Sequence, residues 1–184
     1  MRVNYRYRGK RRKLAGFYNE MISNFVGFCK QQKITIFIST SVKEEAQKSL
    51  VEAVNEKMNR LKIDAFPVRY MIIQKCLRRL RMLLNASTIR EIDNPPIEKV
   101  KNMYLSGKGK LAKIKMLKKR SSLFPSEIDQ KILGEAAKLA EQYTVYFITV
   151  DRDFTKFKEE IEERFGVRVV HPSELASLMR NILT

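Results

Sequence analysis

Histidine and cysteine are nearly missing from this chain of 184 residues, which carries one His, two Cys and no Trp. A four-ligand zinc site needs a Cys/His set that His171, Cys29 and Cys76 cannot supply. A Ser-His-Asp or Cys-His mechanism would have to use His171, which follows apolar Val169–Val170 and precedes Pro172. That setting suits a structural histidine at a strand end. The two cysteines are far apart, each inside an apolar helical pattern, and read as small buried hydrophobes. A reducing, cytoplasmic compartment is the expectation. No stretch approaches the roughly 20 apolar residues that span a bilayer, so no membrane role is expected. Charge from Arg6 to Lys13 interrupts any secretory leader.

Acidic residues are also scarce, but only in places. The net charge is +17, and a protein this basic attracts polyanions, with phosphate contacts releasing condensed counterions from nucleic acid. A solvated lysine-rich surface would mix both signs; here they are segregated. Residues 1–13 carry seven Lys/Arg and no acid, and residues 69–125 carry fifteen Lys/Arg against three acids. Residues 126–184 reverse the balance, with eleven acids and eight bases. An acidic end beside a basic middle points to carboxylates with a local job, next to a surface that holds a polyanion. Length and a hydrophobic fraction of 44% fit one globular domain, with 66–120 as a basic helical insertion.

Periodicity supplies the elements. Leu14, Phe17, Met21, Phe25 and Phe28 fall at helical spacing over Leu14–Gln32, and Lys33–Ser39 (KITIFIS) reads as a buried strand. A helix follows from Val42 to Lys62, with Ser39, Thr40 and Ser41 offering cap hydroxyls. Pro67 opens another helix running to about Leu84, and Asn94-Pro95-Pro96 breaks the chain. Ile97–Leu105 and Leu111–Lys119 are helical, separated by Ser-Gly-Lys-Gly (106–109), whose glycines suggest flexibility. Ser126 caps a helix to Gln142, Thr144–Val150 (TVYFITV) is a buried strand, and Thr155–Phe165 is helical. A short strand Val167–Val170 and a final helix Ser173–Ile182 close the chain. The alternation predicts an α/β fold with a central parallel sheet between helical layers, a three-layer α/β/α arrangement.

Ligands in such sheets bind where strands end and helices begin. Asp151 and Asp153 directly follow TVYFITV, Glu44 and Glu45 lie in the first turn after KITIFIS, and Asp129 lies in the first turn of its helix. Carboxylates gathered there repel unless a cation neutralises them. With His and Cys so scarce, hard oxygen ligands point to Mg²⁺ or Mn²⁺. Beside a nucleic-acid surface the fitting chemistry is phosphodiester hydrolysis by metal-activated water. Each acid also has a local reading: Glu44, Glu127 and Asp129 as helix-terminal charges, Asp151 as a cap, Asp153 as a turn former.

Four stretches carry a family resemblance. Pro125-Ser-Glu-Ile-Asp129-Gln-Lys-Ile-Leu133 precedes Val145-Tyr-Phe-Ile-Thr149-Val-Asp151-Arg-Asp153-Phe154, and Gly166-Val-Arg-Val-Val170-His-Pro-Ser-Glu174 closes the run. Upstream stands Ile38-Ser-Thr-Ser41-Val42-Lys43-Glu44-Glu45. Together they resemble PIN-domain ribonucleases, over about 30–50 and 124–175. The resemblance implies an endoribonuclease with Mg²⁺ or Mn²⁺ held by Glu45, Asp129 and Asp151, with Asp153 auxiliary. Glu44 competes with Glu45, which stands four residues after Ser41 as in many members. It also implies a hydroxyl near the metal, at Thr149, and RNA as partner, with single-stranded DNA as an alternative substrate. Arg78, Arg79, Arg81, Lys118, Lys119 and Arg120 form the basic clusters expected to contact phosphates. Phe154 is expected as a core anchor.

One departure is plain. Family members begin with a hydrophobic strand ending in Asp, the first metal ligand and the central strand of the sheet. This chain opens MRVNYRYRGKRRK, with Asn4 and no Asp before Asp64. The first strand is therefore degenerate or lies upstream, or Glu20 substitutes for its ligand. A catalytically degenerate nucleic-acid-binding protein is the second functional reading. A toxin held by a small antitoxin-like protein is the third, and a homodimer is a further expectation from the family.

Overall fold

The computed structural model describes Glu20 and residues 23–62, 66–118 and 122–183. A helix over 23–31 (α1) buries Phe25 and Cys29 and ends at Lys33, which takes a left-handed φ of 56° while Ile34 N–H bonds back to the Cys29 carbonyl at 2.8 Å. That cap uses up the start of the expected strand, and β1 covers only Phe37–Ser39. Ser39 then caps α2 (Thr40–Arg60), its Oγ accepting from Val42 N–H at 3.3 Å. α3 (Phe66–Asn85) returns along α2 as a helical hairpin, and β2 (Thr88–Arg90) follows it.

β1 and β2 pair in parallel, Phe37 opposite Thr88 and Ser39 opposite Arg90. The strand β2 has no counterpart in the sequence-based expectations. Three exposed residues flanked by polar ones carry no periodic signal. After the Asn94-Pro95-Pro96 break come α4 (Ile97–Ser106) and α5 (Lys108–Lys118). Val100, Met103, Tyr104, Leu111 and Ile114 are at most 2% exposed. The stretch 97–118, read from its charge as part of an insertion, thus supplies much of the main core.

α6 (Glu127–Ala140) begins with a reciprocal capping box between Ser126 and Asp129 and buries Ile132, Leu133, Ala136 and Ala137. β3 (Val145–Ile148) pairs in parallel with β4 (Val167–Val170), Val145 opposite Val167 and Ile148 opposite Val170. Between them the single helix expected over Thr155–Phe165 is two: α7 (Arg152–Thr155) and α8 (Lys158–Phe165). The break puts the Phe157 ring, fully buried, edge-on to Tyr104 at 5.0 Å. Such an aromatic pair adds about 0.5–1.5 kcal/mol beyond its area burial. A short 3₁₀ turn (Pro172–Glu174), capped by His171, leads into α9 (Leu175–Leu183).

The architecture is mixed and mostly helical, with two separate two-stranded parallel sheets among the described residues. The main core gathers α4, α5, α6, α7, α8 and β4, while a smaller one joins Phe25 and Cys29 to Val170 and Leu175. Gly107 belongs to this packing: a Cβ there would collide with the Phe157 ring. Its role is close approach rather than the flexibility suggested by its sequence context. No helix among the described residues is long and apolar enough to cross a membrane.

Candidate functional site

β3 ends at Ile148, and one more ladder bond, Thr149 N–H to the Val170 carbonyl at 3.0 Å, fixes the turn that follows. The Thr149 hydroxyl accepts the Asp151 N–H at 3.0 Å, so it orients the acid next to it. Asp151 caps α7, its Oδ1 accepting the Asp153 N–H at 2.8 Å. Asp151 thus takes up the capping role of its local reading, while Asp153 has a fully buried side chain. Tyr104, from α4, donates to the Asp153 carbonyl at 3.1 Å and ties the turn to the core. Phe154 is 4% exposed and sits edge-on to Phe147 at 5.0 Å, as an anchor.

A cation already faces this turn. Lys118, at the end of α5, donates from Nζ to Asp151 Oδ1 at 2.8 Å and Oδ2 at 3.0 Å, and to Asp153 Oδ2. Partial burial pulls the Lys118 pKa down, but the bonds to Asp151 and Asp153 and their charges outweigh it and raise it above the ordinary lysine value. The ammonium stays charged wherever the carboxylates are. Lys118, expected from sequence among the phosphate-contacting bases, is here paired with the two aspartates. Its sequence context, one base among many, gave no sign of this.

The other two acids come from separate helices. Asp129 Oδ2 accepts from Ser126 N–H at 3.1 Å and from Ser126 Oγ at 2.8 Å. Its local helix-terminal reading is thus realised, and its negative charge is felt at Glu45. Glu45, on α2, has a pKa raised first by burial and then by the negative charges of Asp129 and Asp151. Glu45 therefore feels the charge of two acids far from it in sequence. Glu44 is exposed while Glu45 is half-buried, which separates the two candidates. Ser41, one turn before Glu45 and on the same face of α2, donates to the buried Glu135 of α6 at 2.9 Å and holds α2 against α6. Nothing in the sequence reading singled out Glu135.

Among the described residues, no three His, Cys, Asp or Glu side chains stand close enough to share one metal ion. In chemistry the donors fit a hard divalent cation, all being carboxylate oxygens at the ends of rigid elements. Two of them are engaged otherwise, Asp151 with Lys118 and Asp129 with Ser126. Of the basic residues, Arg78 and Arg81 are exposed on α3. Lys119, Arg120 and Asn4 lie outside the described residues, as does the side chain of Arg79. Glu20 is exposed. His171 has the structural role expected, its Nδ1 meeting Ser173 Oγ at 2.6 Å to hold the turn.

Compared with protein-family models, curated proteins and solved structures, the chain matches none.

Proposed function

We propose that the chain is a PIN-like, metal-dependent endoribonuclease whose Glu45, Asp129 and Asp151 hold Mg²⁺ or Mn²⁺, with Asp153 auxiliary. One observation carries the reading: Glu45 is half-buried on α2, and its pKa is raised first by that burial and then by the charges of Asp129 and Asp151, which come from elements far from it in sequence. A carboxylate perturbed by burial together with specific charged neighbours is a candidate for a functional site. The bound cation would activate water and stabilise charge on the phosphate. The chain's own residues do the rest. Thr149 orients Asp151, the Ser41–Glu135 bond seats the face of α2 that bears Glu45, and the exposed bases of α3 hold the RNA.

The finer fold belongs to the same proposal. Two parallel pairs, β2–β1 and β3–β4, are what a three-layer sheet presents when its central strand is not counted. In the PIN family that strand is the first, and residues 1–13 lie outside the described residues.

The second reading, a degenerate nucleic-acid-binding protein, is favoured by Lys118, whose ammonium already neutralises Asp151 and Asp153. One experiment separates the two. Purified protein is incubated with structured RNA and Mg²⁺ or Mn²⁺. The nuclease reading expects cleavage that chelator stops and that Asp129→Asn or Asp151→Asn reduces by at least about 100-fold, as for loss of a metal-site ligand or partner. Salt-sensitive binding without cleavage under either metal sinks it and leaves the degenerate binder.

A further inference from the structure

Glu135 is the most deeply buried acid of α6, 3% exposed, and its carboxylate is only half satisfied. Oε1 accepts the Ser41 hydroxyl at 2.9 Å. Oε2 is buried with no hydrogen-bond partner among the described residues. Lys131 Nζ stands 4.0 Å from Oε1, on a side chain that is 50% exposed. A buried ion held in this way is weak support for stability, and apolar side chains of similar volume often serve as well or better. The pair calls for another account.

What the pair does fix is a position. α2 packs more extensively on α3 than on α6. Its face toward α6 is short: Ser41 and Glu45 are half-buried, while Lys48 and Glu52, further along the same face, are exposed. Apolar contact over two turns tolerates sliding and rotation, because burial is not directional. A hydrogen bond between a half-buried hydroxyl and a buried carboxylate is directional, and it admits one register of α2 on α6. That register matters at Glu45. Ser41 lies over Glu135, and Glu45, one turn on, feels the charge of Asp129, six residues before Glu135. α2 thus advances toward the N-terminus of α6, and the pin stands about 6 Å along the helix from the acid it places. Turning α2 by one residue position would swing Glu45 through about 100°.

We infer that Glu135 is a positioning residue for Glu45: through Ser41 it fixes the register of α2 on α6, and so the place of Glu45 relative to Asp129. That Glu45 and Asp129 hold a cation rests on the proposed function, and the register itself does not.

The test uses the full chain and two readouts. Mn²⁺ uptake is titrated by electron paramagnetic resonance, and hydrogen exchange of α2 is followed in the metal-free protein. Ser41→Ala/Glu135→Leu removes the polar pair and leaves neither partner orphaned. It is expected to weaken Mn²⁺ binding by about tenfold or more, as for loss of an outer partner of a metal ligand. Amides over residues 44–50 of α2 should exchange faster in it, while its melting temperature stays at or above that of the parent. Glu135→Gln keeps an oxygen acceptor for the Ser41 hydroxyl and should match the parent in both readouts. Unchanged exchange in the folded apolar variant overturns the positioning role, and so does unchanged Mn²⁺ affinity where the parent binds. A melting temperature that falls in step with them also overturns it, since the bond would then be ordinary core packing. So does a Glu135→Gln variant as impaired as the apolar one. A parent that takes up no Mn²⁺ refutes the metal site instead, and exchange in α2 then decides the register alone.

Discussion

Replacing Lys118 by methionine removes the cation from the acidic turn while keeping most of the side chain's volume. Three hydrogen bonds to two carboxylates are lost. An exposed ion pair contributes about 0–1 kcal/mol, and removing one member of a buried pair costs about 3–5 kcal/mol. Lys118 lies between these limits. Its side chain is 30% exposed and that of Asp151 34%, but Asp153 is fully buried and cannot turn to water. The expected loss is about 2 kcal/mol, midway between the exposed and buried cases. For a domain of this size that lowers the melting temperature by about 4–8 °C. Thermal unfolding is followed with chelator and then with excess Mg²⁺. If Asp151 and its neighbours bind metal, the variant should regain more stability on metal addition than the parent does, because in the parent the ammonium must first be displaced. A hundredfold excess over the dissociation constant is worth about 2.7 kcal/mol. Lys118→Arg should hold its melting temperature. A methionine variant that melts within about 1 °C of the parent in chelator, against a resolution of a few tenths of a kcal/mol, would refute the claim that Lys118 stabilises the turn. Identical Mg²⁺ shifts in both proteins would refute competition between metal and ammonium.

Two further predictions test other parts of the structure. Glu45 has a raised pKa in the folded chain, so its ionised form is disfavoured there. The penalty is fully present above the folded pKa and fades as pH falls through it toward the unfolded value. Glu45→Gln should therefore melt at or above the parent temperature at neutral pH. That advantage should shrink on acidification, and an advantage that grows as pH falls would contradict the sign. Gly107→Ala should destabilise by about 1–3 kcal/mol as an overpacked core site, because its Cβ meets the buried Phe157 ring. Gly109→Ala, with nothing within 4 Å of its Cβ, should be neutral or slightly stabilising in denaturant titration. Equal effects at the two glycines would show that the contact with Phe157 does not constrain the chain.

What the sequence made legible was local. The Ser126–Asp129 spacing of a capping box, the hydroxyl run before α2 and the strand-to-turn text around Asp151 are each decided within a few residues. Family spacing favours Glu45 over Glu44, and the fold half-buries Glu45 while leaving Glu44 exposed. What escaped was decided at a distance. Lys118 meets Asp151 across 33 positions and Ser41 meets Glu135 across 94. Neither pairing leaves a pattern in one sequence. β2 is too short for alternation to register, and α7 and α8 run through an unbroken helical pattern that only the burial of Phe157 divides. The charge profile misled over 97–118, where lysines on the surface of α4 and α5 conceal the apolar faces that fill the core.

The two strand pairs also differ in how firmly they are held. β3–β4 joins residues about twenty apart in sequence and rests on buried Val167, Val169 and Val170. β1–β2 joins residues some fifty apart, across an intervening hairpin, and none of the three residues of β2 is buried. Closing the longer loop costs more entropy for fewer buried contacts. Local opening should thus be cheaper around β1, β2 and the α2–α3 hairpin than around β3 and β4. Asp129 and Asp151 belong to the firmer part, and Glu45 to the looser one. Opening around α2 should therefore carry Glu45 away from Asp129 and Asp151 at a free energy below that of global unfolding.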